Sequence, residues 1–100
     1  MLSIAPAPVI FMYADATDMR KSFTGLCGII RGVFGDDPAD GSLFLFVNKR
    51  RDRIKALRWE GDGFVIWYKR LEQGTFEVVP AAGREKRVRI DATQLAMILG

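Results

Sequence analysis

The spacing of apolar positions changes several times along the chain, and each change marks an element. Val9 to Tyr13 is a short apolar run behind Pro6 and Pro8. It reads as a strand that lies at a sheet edge or begins at the prolines, which cannot donate ladder hydrogen bonds. Met19, Phe23, Leu26, Cys27, Ile30 and Phe34 then recur at helical spacing, so Thr17 or Asp18 is expected to cap a helix that runs to about Val33. Gly35 to Gly41, rich in Asp and Pro, is a loop. Leu43 to Val47 is unbroken apolar sequence, and Ile54 to Trp59 and Phe64 to Tyr68 are strand-like runs joined across Glu60-Gly61-Asp62-Gly63. Glycine there supplies the positive φ of a hairpin, and the three runs make an antiparallel meander. Phe64 to Tyr68 carries aromatic or branched side chains on both faces, which predicts a central strand or one covered by a partner. Beyond it, Thr75 to Val79 reads as a short strand, Arg87 to Ile90 as a strand with one basic face, and Asp91 with Gln94 as the capping box of a last helix bearing Leu95, Ile98 and Leu99.

This order predicts an α+β fold. A small antiparallel sheet, the three-strand meander with short flanking strands, carries a helix after the first strand and a C-terminal helix packed on one of its faces. The length predicts a single domain over residues 1–100, and 49% hydrophobic content is enough for a small core. Gly25, Gly28 and Gly32 lie close together on the first helix, each at a cost of about 1 kcal/mol against Ala. Their grouping is expected to mark close approach of the helix to the sheet or to another subunit.

Composition removes several chemistries. Histidine is absent, and with it the usual general base and the commonest metal ligand. The single Cys27 cannot form an internal disulfide and is expected to be a small buried apolar residue. No apolar run approaches the ~18 residues of a membrane span, and MLSIAPAPVIF lacks the basic start of a signal peptide. A cytoplasmic location without a membrane partner follows as the expectation. Asp36, Asp37 and Asp40 offer carboxylates for Mg²⁺, but acids beside Pro and Gly are ordinary loop chemistry. Ser3, Ser22 and Ser42 have no histidine partner, and no phosphate-cradling loop of the Walker type is present. Neither intrinsic catalysis nor a cofactor is expected.

The net charge of +3 is modest, yet it is unevenly spread. Lys49, Arg50, Arg51, Arg53, Lys55 and Arg58 stand against Asp52 alone, and Arg84, Lys86, Arg87 and Arg89 against Glu85. Guanidinium forks suit phosphate oxygens, and Trp59, Trp67 and Tyr68 nearby could stack on bases or on arginine planes. Lys69 and Arg70 extend this track, and Arg20 and Lys21 are additional candidates, because the first turn of a helix disfavours cations. With about four phosphates engaged, raising salt from 50 to 200 mM would weaken binding roughly a hundredfold. The two-faced apolarity of Phe64 to Tyr68 supports a different reading, a protein-interaction module that docks on another protein or on an identical subunit.

Three segments, TDMRKSF, GSLFLFVNKRRDRIKALRWEGDGFVIWYKRLEQGTF and ATQLAMILG, resemble a known family in order and over nearly the whole chain. It is the accessory family labelled TnpB, the second open reading frame of bacterial insertion sequences of the sixty-six family, which shares only its label with the RNA-guided nucleases. Ser22 stands where many relatives have Gly, and Val79 precedes Pro80 where Trp is common. Relatives run on beyond the position of Gly100, so a short C-terminal tail is expected to be lacking. The resemblance implies a non-catalytic helper beside a separate transposase. Joined to the charge pattern, it implies binding of insertion-end DNA through Lys49, Arg50, Arg51, Arg53, Lys55, Arg58, Lys69 and Arg70, with the transposase or another accessory protein as the alternative partner.

Overall fold

In the computed structural model, which describes residues 9–100, the elements are β1 (Ile10–Tyr13), α1 (Phe23–Ile29, continued by a π-helical turn over Ile30–Phe34), β2 (Leu43–Val47), β3 (Arg53–Trp59), β4 (Phe64–Arg70), β5 (Arg87–Ile90) and α2 (Ala92–Leu99). Pro6 and Pro8, and Ser3, lie outside the described residues. The strands form one sheet in the order β4-β3-β2-β1-β5. β2, β3 and β4 are the expected antiparallel meander, and β5 runs antiparallel to β1. β1 and β2 are parallel, Ile10 opposite Leu43 and Met12 opposite Leu45. Parallel neighbours need a crossover, and α1 with its flanking loops supplies it.

Burial assigns the central role to β2. All five of its residues are buried, and their alternation sends Phe44 and Phe46 to one face and Leu43, Leu45 and Val47 to the other. Among the described residues β4 is an edge strand, not a central one, with Phe64 and Trp67 half-buried and Tyr68 exposed. Because β2 is apolar on both sides, both faces of the sheet need cover. Leu26, Cys27 and Ile30 of α1 pack with Phe44, Phe46 and Leu57, while Ile98 of α2 packs with Met12, Leu45, Ile54 and Ala56 on the opposite side. The helices therefore sit on two faces, where the sequence reading put both on one. Thr75 to Val79 is irregular chain laid over the α2 face: Phe76 is buried, and its N–H donates to the Arg51 carbonyl at 2.7 Å.

Two local expectations hold and two shift. Asp91 and Gln94 make the capping box in both directions, at 2.7 and 2.9 Å, and the turn after β3 closes through Glu60 N–H to the Gly63 carbonyl, with φ of +90° at Gly61. α1, however, begins at Phe23 rather than next to Thr17 or Asp18. The preceding residues are held to the sheet instead, Thr17 N–H donating to the Val47 carbonyl at 2.8 Å. Gly28 and Gly32 make no close approach to the sheet, since within the chain a Cβ built on either meets nothing within 4 Å.

Phe44, fully buried among aromatic neighbours, anchors the α1 face. Phe44→Ala is expected to cost about 3–5 kcal/mol through the cavity it leaves. Met97→Ala, at a position 63% exposed, should stay within about 0.5 kcal/mol. Urea unfolding midpoints of the two variants check the contrast.

Candidate nucleic-acid interface

The register of the sheet brings separate basic segments to one end. Since β1 and β2 are parallel, the β1–α1 loop (residues 14–22) emerges beside the turn that joins β2 to β3 (residues 48–52). Arg53, where β3 begins, pairs with Arg70, where β4 ends, and Arg87, where β5 begins, pairs with Tyr13, where β1 ends. Arg20, Lys49, Arg50, Arg51, Arg53, Arg70, Arg84 and Lys86 thus share one end of the sheet. The acids at this end are largely occupied: Asp18 pairs with Arg20 at 2.7 Å, Glu72 with Arg70 at 2.9 Å and Asp15 with Lys86 at 2.8 Å. Asp37, Asp40, Glu60, Asp62 and Asp91 lie in connections at the opposite end.

The β2–β3 turn is built on Asn48. Its Oδ1 accepts from the N–H groups of Asp52 and Arg53 at 3.1 and 3.0 Å, and its Nδ2 donates to Asp52 at 2.7 Å. That bond is the main reason the Asp52 carboxyl titrates below its ordinary value. Asn48 has no place among the residues singled out by charge, although an Asn opening a polar turn is a residue type that bonds nearby backbone N–H groups. Arg51 takes the left-handed position of the turn, φ +59°, where a side chain costs about 1–2 kcal/mol that glycine avoids. Its carbonyl receives the Phe76 N–H, which ties the turn to the irregular cover segment.

A depression of about 410 Å³ lies between this turn and the β1–α1 loop, lined by Arg20, Lys49, Arg50, Arg53, Asn48 and Tyr68 among others. A second, of about 550 Å³, lies on the other side of the turn and includes Lys49, Arg51, Arg84 and Lys86. Asn48 and Lys49 line both, so the turn is a cationic ridge between two hollows.

The remaining sequence candidates are separated from this ridge. Lys55 is 7% exposed, and its Nζ donates to the carbonyls of Met19 at 2.8 Å and Lys21 at 2.6 Å while lying 4.8 Å from the centre of the Tyr68 ring. Its charge holds the β1–α1 loop on the sheet. Arg58 pairs with Leu43 and Val65 toward the far end of β3, and Lys69 sits opposite Ile54, on the α2 face. Arg20 and Lys21 precede the helix, so the conflict with the dipole of its first turn does not arise. Of the aromatic candidates, Trp67 packs in the α2-face core and Trp59 makes an edge contact with Phe64 at 4.9 Å. Tyr68 alone lines the 410 Å³ depression.

The acidic loop is structural in its contacts. Asp37 accepts the Ala39 N–H at 2.9 Å, Asp40 accepts the Ser42 N–H at 2.8 Å, and Asp36 pairs with Arg87. Among the described residues no three Cys, Asp or Glu side chains converge on a metal position, and no helix is long and apolar enough to cross a membrane. Cys27 is buried, and burial pushes its thiol above the ordinary value.

The family model described as "IS66 Orf2 like protein" matches residues 8–100. Two uncharacterized proteins of Sinorhizobium fredii are similar. The first, y4jC, is 32% identical over 71% of this chain and 61% of its own length; y4hO is 32% identical over 90% of this chain and 76% of its own. The chain therefore spans less than two thirds of y4jC. No solved structure matches.

Lys55→Met leaves two carbonyls without their charged donor and is expected to cost about 2 kcal/mol, seen as a lower urea midpoint with faster amide exchange over residues 17–21. The Arg20 guanidinium holds the Asp18 carboxyl down to about 2, from an ordinary 3.8. With a depressed folded value, the pair's contribution is present above about pH 4 and is lost as pH falls through about 2. Arg20→Ala should return Asp18 toward its ordinary value in an NMR titration of side-chain carboxyls.

Proposed function

Because the chain belongs to the IS66 Orf2-like family, whose role is accessory to transposition, we propose that it assists a separate transposase by binding DNA with the cationic end of its sheet. One observation carries this reading: Lys49, Arg50 and Arg53, contributed by a turn and a strand, line one depression, with Arg20, paired to Asp18, on its loop side. Guanidinium groups so grouped meet phosphate oxygens bidentately. The ridge and the second hollow continue the track through Arg51, Arg84 and Lys86. Arg51 supports it further, since an arginine in a left-handed backbone position suits a contact better than a turn. Lys49, Arg50, Arg51 and Arg53 are the principal contacts, Arg20 and Arg70 lie at the margins, and Lys55 acts as a positioning residue. The helper is non-catalytic and works in the cytoplasm, with the DNA.

A protein partner fits beside this role. Among the described residues β4 is hydrogen-bonded on one side only, by β3, and the Trp59 and Phe64 pair lies at its start. An edge strand with partly buried aromatics is suited to contact with the transposase or an identical subunit.

Labelled insertion-end duplex, followed by fluorescence anisotropy across a salt series, tests the DNA role. Binding should weaken steeply with salt, and changing Arg50 and Arg53 together to Ala should reduce affinity and make the logarithmic salt slope shallower by about 2. Absent or salt-independent binding would reject the role and leave the protein-interaction reading, with β4 as its surface.

A further inference from the structure

We propose that the 410 Å³ depression receives one unpaired nucleotide, with its base stacked on Tyr68 and its flanking phosphates held by Arg50 and Arg53. The inference rests on the DNA-binding reading and narrows it to the form of nucleic acid that this site accepts. Tyr68 occupies the α1 face of β4, where its neighbours Phe64 and Ile66 pack into the core. Tyr68 itself is 48% exposed. It lies beyond the reach of α1, which starts only at Phe23, and borders the depression instead. Lys55 lies over the ring, 4.8 Å from its centre, and that ammonium is itself tied to two backbone carbonyls. One side of the ring is thereby held, and its exposed surface is presented among Lys49, Arg50 and Arg53.

The aromatic ring in the depression favours an unpaired nucleotide over a duplex. A base inside a duplex already has both faces stacked and cannot offer one to a side chain, whereas an unpaired base can. Thr17, in the wall, is 4% exposed, and its Oγ1 has no hydrogen-bond partner among the described residues. That unpartnered hydroxyl is the polar group in the wall available to the sugar or base edge that enters. Stacking reads the π face that every base has, so the preference is for strand form over sequence.

The test compares a labelled single strand of mixed sequence with its own duplex, for the wild-type chain, Tyr68→Phe, Tyr68→Leu and the Arg50→Ala, Arg53→Ala double variant. The single strand should bind more tightly than the duplex. Tyr68→Leu, which keeps apolar cover over Lys55, should weaken the single strand about tenfold and the duplex less than twofold, with the salt slope unchanged because no charge is lost. Tyr68→Phe should bind like the wild type. Equal affinity for the two forms, or Tyr68→Leu affecting both alike or neither, overturns the stacking site; if the double arginine variant still loses binding in that case, the DNA role stands without it. Wild-type protein that binds neither form removes both.

Discussion

Burial of β2 on both faces is the constraint from which the rest of the architecture follows. Phe44 and Phe46 point one way and Leu43, Leu45 and Val47 the other, all of them buried. A strand with two apolar faces is stable only between two layers, so α1 covers one side while α2 and the chain around Phe76 cover the other. Placing α1 between β1 and β2 makes those strands parallel. Parallel pairing in turn puts the loop after β1 next to the turn after β2, which is where the cations meet. The site is a consequence of how the core is closed.

Lys55 shows why charge counted along the chain differs from charge available at the surface. It stands in the middle of the most basic stretch, yet strand alternation sends its side chain inward beneath the β1–α1 loop. A buried ammonium needs strong acceptors, and two carbonyls and an aromatic face provide them without an acid. In return the loop that carries Arg20 is fixed over β3, and Tyr68 is held at the rim. A cation lost to the surface thus shapes the depression that its neighbours line.

The same geometry explains how a chain of net charge +3 concentrates positive potential. Acids in the connections at the far end of the sheet are remote from the ridge, and of those near it Asp18, Glu72, Asp15 and Asp52 are engaged with Arg20, Arg70, Lys86 and Asn48, while Glu85 lines the second hollow. Within a Debye length of about 8 Å at physiological salt, the field at the ridge is set by the local arrangement and not by the net charge. Lys49, Arg50 and Arg51 of the turn are exposed, with Arg53 half-buried at the strand end.

Local features were legible in the sequence because they depend on near neighbours. The Asp91 and Gln94 capping box, the β3–β4 hairpin, the meander and the strand at Arg87 to Ile90 are written in short-range spacing, and the structure contains all of them. The basic zone from Lys49 was equally visible, since clustering of charge needs no fold to be seen. Strand order, the parallel β1–β2 pair, the separation of the helices onto two faces and the late start of α1 were not, because each depends on contacts between residues far apart in the chain. The hydrophobic pattern said that residues 43–47 and 64–68 each carry apolar side chains on both faces, and only packing could decide that the first is central and the second an edge. In the same way, composition identified the cations, but tertiary structure chose among them: alternation turned Lys55 inward, register carried Arg58 toward the other end, and the meeting of loop and turn gathered Arg20, Lys49, Arg50 and Arg53.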